Sequence, residues 1–354
     1  MDENSGLTGV EGILDSCRKE LARRIVGQRE MIDGLLTALI AGGHILLEGV
    51  PGLAKTLAIK SLADITGLIF KRIQFTPDLL PADLTGTLVW EQATGTFSVR
   101  RGPVFANLIL ADEINRAPAK VQSALLEAME EQQVTIGETT YPLPDPFFVL
   151  ATQNPIEHEG TYTLPEAELD RFLLKLLIRY PSVEEEIQIL NFATAKPAYD
   201  TADISIPLSP ILEPRSLEIL RTAADSVFVD ERIAGYIVSV VAASRPLTAK
   251  NQAQKPISPR SQSPIPTDSA EKAIKEGLYR YIAFGASPRG SIALYRCSRI
   301  QALFAGRSFV TPEDVKATAL PVLRHRIVLS YEAEADGLDA DAVISRLLTF
   351  VPIP

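Results

Sequence analysis

The sequence predicts two packed domains, an α/β domain with a parallel sheet followed by an all-α domain. From about residue 28 to residue 180, apolar runs of strand length alternate with helical patterns, which is typical of a parallel sheet covered by helices. After residues 182–207 the β-type runs stop and helical patterns continue. A chain of 354 residues also exceeds one typical domain of about 100–200 residues.

Five apolar runs have the length of buried strands, at residues 44–47, 69–74, 108–111, 147–152 and 173–178. Between them, apolar residues recur at helical spacing over residues 31–40 and 121–129, so these helices present apolar stripes to the sheet. Two short β-type runs within residues 133–143 flank a Gly-Glu-Thr turn and predict a hairpin. This hairpin is either a surface excursion or an element that projects toward a pore or a partner.

We place the first domain at residues 1–190, a linker at 191–213 and the helical domain at 214–354. Helical patterns in the helical domain cover residues 215–228, 230–243, 271–284, 288–304 and 312–324. Thr311, followed by Pro312 and Glu313, has the composition of a helix start. The stretch 245–268 is rich in Pro, Ser and Gln and predicts a mobile loop.

Composition narrows the class of protein. The net charge of -9 and pI near 5.1 argue against a surface built to bind nucleic-acid backbone, so nucleic acid is an unlikely partner. Cys17 and Cys297 are the only cysteines and indicate neither a disulfide framework nor a zinc site. The acidic N-terminus does not resemble a secretory signal, and no uncharged stretch reaches the length of a membrane span. We expect a cytoplasmic protein without membrane insertion.

The segment HILLEGVPGLAKT, residues 44–56, joins an apolar strand to a helix through a Gly-rich turn. Backbone N–H groups from Gly49 to Ala54 can bind phosphate oxygens, Lys55 can reach the β- and γ-phosphates, and the Thr56 hydroxyl can ligate Mg²⁺. Ala54 replaces the second glycine of the usual pattern, which a negative φ tolerates. Taken alone, the segment is also compatible with an ordinary strand-turn-helix.

A second strand ends in two adjacent acids, in LILADEINR at residues 108–116. Asp112 can hold Mg²⁺ through water while Glu113 polarises the attacking water, which is what phosphoanhydride hydrolysis requires. A lone Asp-Glu pair is more often a charge feature of a helix N-terminus. Its position about one βαβ unit after the Gly-rich turn favours the catalytic interpretation.

Three further polar residues are candidates for the same site. Asn154 ends the strand FFVLATQNP and can orient the lytic water, although Asn before Pro is also a common turn former. Arg171 forms a simple ion pair or crosses a subunit boundary to neutralise transition-state charge. Arg289 lies in the first turn of a helix, where a cation opposes the helix dipole, and a phosphate ligand would explain it.

Together these segments resemble the MoxR family of AAA+ ATPases. The resemblance rests on GVPGLAKT with its Ala54, QFTPDLLPADLTGT from Gln74, ADEINRAPAKVQSALLEAMEEQQVT from Ala111, ATQNP, LPEAELDRF and GASPRG, and it covers residues 26 to about 329. It implies a P-loop AAA+ domain with a five-stranded parallel sheet flanked by helices and a C-terminal helical lid, assembled into a homo-oligomeric ring, usually a hexamer.

The resemblance also implies roles for individual residues. Lys55 and Thr56 correspond to Walker A, Asp112 and Glu113 to Walker B, and Asn154 to sensor 1. Arg171 corresponds to the arginine finger, and Arg289 to sensor 2, acting in its own subunit or in the next. The expected ATP contacts are Val26 and Gly27 on the adenine side and Gly49, Pro51, Gly52, Leu53, Ala54, Lys55, Thr56 and Leu57 around the phosphates. Residues 84–104 match an insertion in the second helix.

The activity implied is Mg²⁺-dependent ATP hydrolysis by a chaperone that activates or matures a protein client. Members of the family commonly act through a partner with a von Willebrand factor A domain. A magnesium-chelatase-like motor and a nucleic-acid motor are alternatives, although Gly137, Glu138 and Thr139 at the hairpin tip disfavour DNA. A GTPase switch is disfavoured because this chain has no Asn-Lys-x-Asp segment to read guanine. A scaffold that binds nucleotide without hydrolysing it is disfavoured because it has no need of Glu113.

Overall fold

The computed structural model describes residues 3–50, 55–155, 161–194, 206–246 and 277–354. The chain folds into two units, Met1–Val227 with Leu303–Ser308, and Phe228–Ala302 with Phe309–Pro354. The loop predicted at residues 245–268 lies outside the described residues from position 247 onward.

The first unit contains the predicted α/β domain. Its strands are β1 (Ile45–Glu48), β2 (Phe70–Gln74), β3 (Gly86–Glu91), β4 (Thr96–Arg101), β5 (Leu108–Asp112), β6 (Gln133–Ile136), β7 (Thr139–Pro142), β8 (Phe148–Gln153) and β9 (Leu174–Leu177). Its helices are α1 (Glu3–Ala22), α2 (Arg29–Ala41), α3 (Lys55–Thr66), α4 (Pro81–Thr85), α5 (Ala119–Glu131), α6 (Glu166–Leu169), α7 (Val183–Thr194) and α8 (Pro214–Ser226).

Five of these strands form one sheet, in the order β2-β5-β8-β1-β9, and all neighbours in it are parallel. Strands β1, β5 and β8 are buried along almost their whole length, as expected for strands covered on both faces. The predicted fold class is confirmed, and each predicted strand agrees with the structure to within one residue at either end. Because the strands are parallel, the residues that follow β1, β5 and β8 lie at one edge of the sheet.

Two antiparallel hairpins interrupt the α/β layout. Strands β3 and β4 pair within the predicted insertion at residues 84–104, and β6 and β7 pair within residues 133–143. At the outer end of the first hairpin, Trp90 and Phe97 are paired across the strands with ring centroids 5.0 Å apart. Their exposed fractions are 52% and 65%, so this hairpin presents an aromatic pair to solvent.

Helix α8 belongs with the first unit, whereas the sequence-based division assigned residues 214–226 to the helical domain. The helix packs on α1 and α2 and buries Leu217, Leu220 and Ala224. Burial of that apolar face, rather than the change from β-type to helical patterns, decides which unit the helix joins. The sequence pattern marks where strands stop but does not show which core a later helix covers.

The second unit is mainly helical. It contains α9 (Glu231–Ala243), β10 (Ile282–Phe284), α10 (Pro288–Phe304), α11 (Pro312–Leu323), β11 (Val328–Leu329), α12 (Tyr331–Ala335) and α13 (Ala340–Phe350), with α10 continuing into Leu303 and Phe304 of the first unit. The prediction of a helix over residues 271–284 is wrong for residues 282–284, because these residues form β10, which pairs antiparallel with β11. Helix α11 begins as predicted after Thr311, which forms a capping box with Asp314.

Burial makes the two cysteines unreactive. Cys17 and Cys297 are both free and buried. Burial raises the pKa of the Cys17 thiol to about 11 and that of Cys297 to about 12, so both stay protonated near neutral pH.

Across the described ranges, no helix combines the length and the apolar character that crossing a bilayer requires.

A buried histidine joins β1 to its neighbours. The Nδ1 atom of His44 accepts a hydrogen bond from the Val149 N–H at 3.1 Å, which leaves Nε2 to donate to the Met129 carbonyl at 3.2 Å. This is the neutral form of the ring, with one acceptor and one donor nitrogen. Burial lowers the pKa of His44 to about 4, because the charged form would lose its hydration.

We therefore expect the free energy of unfolding to fall as the pH drops from about 6.5 toward 4. In this window the unfolded chain takes up a proton at residue 44 that the folded chain does not, which corresponds to at most about 3 kcal/mol. Urea unfolding of the parent and of His44→Gln across this range measures the effect. The variant should lose much of the pH slope, and equal slopes in both proteins would show that His44 does not contribute it.

Candidate active site

The turn after β1 requires glycine at position 49. A Cβ on Gly49 would lie 2.9 Å from both the Cβ and the carbonyl oxygen of Ile178, so no larger residue fits without moving the backbone. This close approach sets the path by which the chain leaves the sheet edge. Of the predicted phosphate contacts, Pro51, Gly52, Leu53 and Ala54 lie outside the described residues.

Lys55 opens helix α3 at this edge, with Thr56 and Leu57 in the same first turn. Its ammonium is half-buried and donates to the Gly49 carbonyl. Burial lowers the pKa of Lys55, and the carboxylates of Asp112, Glu113 and Glu48 act in the opposite direction. The ammonium is thus partly shielded from water and lies near carboxylates. This arrangement suits an anionic ligand that binds together with a cation.

Asp112 ends strand β5 with both carboxylate oxygens hydrogen-bonded. Its Oδ1 accepts from the Thr152 hydroxyl at 2.7 Å, and Oδ2 accepts from the Arg72 guanidinium at 2.6 Å. Thr152 lies on β8, and Arg72 lies on β2. The two neighbouring strands therefore fix the orientation of the Asp112 side chain.

Glu113 adopts an unusual backbone conformation immediately after β5. Its φ of 56° and ψ of 51° are in the left-handed region, which is sparsely populated by residues other than glycine and recurs at functional sites. The Glu113 N–H donates to the Thr152 hydroxyl at 2.9 Å. The Oε2 atom of Glu113 accepts from Gln74 at 2.9 Å and from Arg116 at 3.0 Å.

Asn154 follows β8, which lies between β5 and β1 in the sheet. The asparagine is buried, with an exposed fraction of 6%. The sheet order therefore brings the end of β8 between the acids at the end of β5 and the turn after β1. The end of β5 carries the residue predicted to activate water, the end of β8 the residue predicted to orient it, and the turn after β1 the residues predicted to bind phosphate.

The adenine-side segment packs on the start of α7. Gly27 has a φ of 75° and lies so close to Glu185 that a Cβ would collide with its side chain. The Gln28 amide donates to the Arg179 carbonyl at 3.3 Å. Val26, between buried Ile25 and this turn, is partly exposed, so an apolar surface is accessible there.

The two candidate arginines have different surroundings. Arg171 donates to the Leu126 carbonyl at 2.7 Å and pairs with Glu130 at 2.9 Å, and both partners lie in the C-terminal half of α5. The ion pair that the sequence left open as an alternative is therefore present in this chain. Arg289 is exposed in the first turn of α10, with its N–H donating to the Ser287 hydroxyl at 3.1 Å.

Sequence reasoning missed the residues that orient the two acids. Thr152, Arg72, Gln74 and Arg116 all contact Asp112 or Glu113. The period-2 pattern of β2 places Arg72 and Gln74 on the same face, which is a usable signal. Their contact with the acids depends on β2 lying beside β5, and one sequence does not reveal that strand order.

The oxygen donors of the site suit a small, hard cation. The Asp112 carboxylate and the Thr56 hydroxyl are oxygen ligands, which Mg²⁺ prefers. Within the part of the chain that the structure describes, no three His, Cys, Asp or Glu side chains are grouped to hold a metal by themselves. Mg²⁺ at nucleotide sites is usually held by one or two protein oxygens together with phosphates and water, and this donor set fits that chemistry.

Comparison with known proteins identifies the family. The chain matches the model of the ATPase family associated with various cellular activities (AAA) over residues 44–174 and that of the AAA lid domain over residues 279–347. Chaperone MoxR1 of Mycobacterium tuberculosis is 44% identical over 349 residues, which cover 99% of this chain and 84% of that protein. The chain belongs to the MoxR family of AAA+ ATPases.

Other relatives of this MoxR-family chain agree with the assignment. Protein MoxR of Paracoccus denitrificans is 31% identical over 341 residues, covering 93% of each protein. A crystal structure of a candidate ATPase from Cytophaga hutchinsonii shares 42% identity with a TM-score of 0.84, covering 99% of this chain and 97% of that one. The predicted family and ATPase activity are confirmed, and the AAA family implies that the chain binds a nucleotide.

Proposed function

We propose that this chain hydrolyses Mg²⁺-bound ATP as a subunit of a homo-oligomeric ring, a hexamer by resemblance to the family, and that the ring remodels a protein client. The observation that carries the proposal is the meeting of Lys55, Asp112 and Glu113 at one sheet edge. Asn154 follows the strand between them. A phosphate-binding cation beside two differently oriented acids is the arrangement that phosphoanhydride hydrolysis needs.

The binding roles follow from the chemistry of each group. Lys55 and the backbone N–H groups of the turn would bind the phosphates, while Thr56 and Asp112 would hold Mg²⁺. Mg²⁺ at this position would neutralise charge that develops on the phosphate oxygens. Arg72 already neutralises part of the charge of Asp112, so the carboxylate is held in a defined orientation.

The catalytic roles are divided between the remaining candidates. Glu113 accepts a proton from the attacking water, and the Asn154 amide orients that water. Arg289 and Arg171 supply positive charge to the transferring phosphate, Arg171 from the neighbouring subunit. For Arg171 this role requires release of its pair with Glu130, which assembly or nucleotide binding would have to bring about.

Two features of the hairpins favour a protein client over nucleic acid. The first hairpin exposes Trp90 and Phe97, and the second has Glu138 at its tip, where a nucleic-acid motor needs cations. The relative from Mycobacterium tuberculosis carries the name chaperone. The family resemblance also leads us to propose a partner with a von Willebrand factor A domain. The alternative is a magnesium-chelatase-like motor, and the identity of the partner would distinguish the two.

We expect particle mass to depend on nucleotide. In light scattering at fixed protein concentration, Mg²⁺ and ATP should produce or tighten a ring in the parent, and the Glu113→Gln chain should keep that ring because it retains ATP. A persistent monomer under all these conditions would leave Arg171 without a neighbour and would contradict the ring.

A mixing experiment then tests whether two subunits share one site. Chains carrying Arg171→Ala and chains carrying Glu113→Gln should each be inactive alone. Mixed rings contain some interfaces that pair an intact Arg171 with an intact Glu113, so partial activity should return. Failure to recover activity at every mixing ratio would assign Arg171 to its cis ion pair with Glu130.

A further inference from the structure

Two donors converge on one oxygen of the proposed catalytic carboxylate. Gln74 donates through Nε2 to Glu113 Oε2 at 2.9 Å, and Arg116 Nη1 lies 3.0 Å from the same oxygen. Within the part of the chain that the structure describes, no donor contacts Oε1 of Glu113. One carboxylate oxygen is therefore held by the protein, and the other is left to accept a proton.

The backbone between the two charged residues enforces this contact. Glu113 has left-handed φ and ψ, and the 3₁₀ turn Ile114–Arg116 follows it directly. The turn is closed by the Arg116 N–H, which donates to the Glu113 carbonyl at 2.9 Å. Because residues three apart in such a turn lie on the same side, Arg116 is directed back over the Glu113 side chain.

We propose that Arg116 is a positioning residue that acts through Glu113, an inference that rests on the proposed role of Glu113 as the base. Arg116 and Gln74 together fix Oε2, so the side chain cannot rotate freely and Oε1 keeps one orientation. Proton transfer requires the base within hydrogen-bond reach of the water. A misplacement of about 1 Å can lower a rate by about a hundredfold.

The simpler account is an ordinary surface ion pair. The side chains of Arg116 and Glu113 are 44% and 25% exposed, and exposed pairs often have little measurable effect. Two features favour positioning. Gln74, from a different strand, binds the same oxygen, and the left-handed Glu113 backbone is held by Thr152. A surface pair needs neither of them.

The matched control is Arg23, which forms another pair of spacing i,i+3. Its partner is Glu20, the N···O distance is 2.6 Å, and the Arg23 side chain is 46% exposed. This pair lies at the end of α1, away from the acids at the end of β5. Arg23→Ala therefore removes an ion pair of similar exposure without touching the candidate site.

We expect Arg116→Ala to lower the kcat of ATP hydrolysis about tenfold or more, with the KM for ATP and the particle mass unchanged. Arg116→Lys should recover part of the loss, because an ammonium can donate to Oε2 but lacks the planar guanidinium geometry. Arg23→Ala should keep the parental kcat. A parental kcat in Arg116→Ala, or a change in KM alone, would overturn the proposal.

A double-mutant cycle tests whether Arg116 acts through Glu113. In the Glu113→Asp background the carboxylate is one methylene shorter, so Arg116→Ala should cause little further loss of the remaining activity. An equal fractional loss in both backgrounds would assign Arg116 a separate role and overturn the inference. Near-normal turnover in Glu113→Gln is a different result, because it would reject the proposed base itself.

Discussion

Glu113→Gln should bind ATP with nearly parental affinity and lose almost all hydrolysis. The amide has the size of the carboxylate and can still accept the hydrogen bond from Arg116, but it cannot take the proton of the attacking water. Loss of a general base lowers rates by about 10²–10⁴-fold. Phosphate release in steady state, together with equilibrium binding of a fluorescent ATP analogue, measures the two quantities separately.

The control for this substitution is Glu218→Gln, which makes the same chemical change on the exposed surface of α8. It should leave both ATP binding and hydrolysis at parental values. If Glu113→Gln also hydrolyses ATP at a near-parental rate, another group activates the water. If it instead loses ATP binding, the Glu113 side chain contributes to the shape of the site, and the rate loss carries no information about proton transfer.

Much of the fold follows from sequence because the signals are local and repeated. The strands of the central sheet are apolar runs bounded by turns, and the helices that cover it carry apolar stripes at helical spacing. Of the motif residues, Asp112 ends such a strand, and Lys55 and Asn154 come after one. Parallel strands bring their carboxyl ends to one edge, so the sequence also predicts that these residues meet.

The parts that sequence could not predict depend on which surfaces meet in space. Helix α8 reads as part of a helical region, but its packing on α1 and α2 assigns it to the first unit. Residues 282–284 form a strand only because β11 lies beside them. The contacts of Gln74 and Thr152 with Glu113 require the order β2-β5-β8. Both residues lie in segments that carry the family resemblance, but the sequence alone assigns neither of them a contact.

The degree of burial, rather than the residue type, distinguishes the ionisable side chains of the candidate site from those that only support the fold. His44 satisfies two backbone groups in the core, and its pKa is lowered to about 4, so it stays neutral at physiological pH. Lys55 is only half-buried and faces three acids. A group that meets solvent on one side and acidic partners on the other can exchange those partners for a ligand.

Lys55→Ala should weaken ATP binding itself, by about 30-fold or more, because removing one partner of a desolvated charge pair typically corresponds to a loss of about 2 kcal/mol or more. The effect should persist when Mg²⁺ is removed with a chelator, since the ammonium binds phosphate directly. An Asp112→Asn chain should behave differently and lose affinity mainly when Mg²⁺ is present. This contrast separates phosphate binding by the protein from binding through the metal.

Helix α3 offers a matched control in Lys60, which is exposed on the same helix. Lys60→Ala removes the same charge and should leave ATP affinity unchanged. Calorimetric titration of all three variants with ATP, with and without Mg²⁺, tests the assignment. Equal losses in Lys55→Ala and Lys60→Ala would indicate a general effect of helix charge. Parental affinity in Lys55→Ala would mean that the half-buried ammonium serves the Gly49 turn and that the phosphates bind elsewhere.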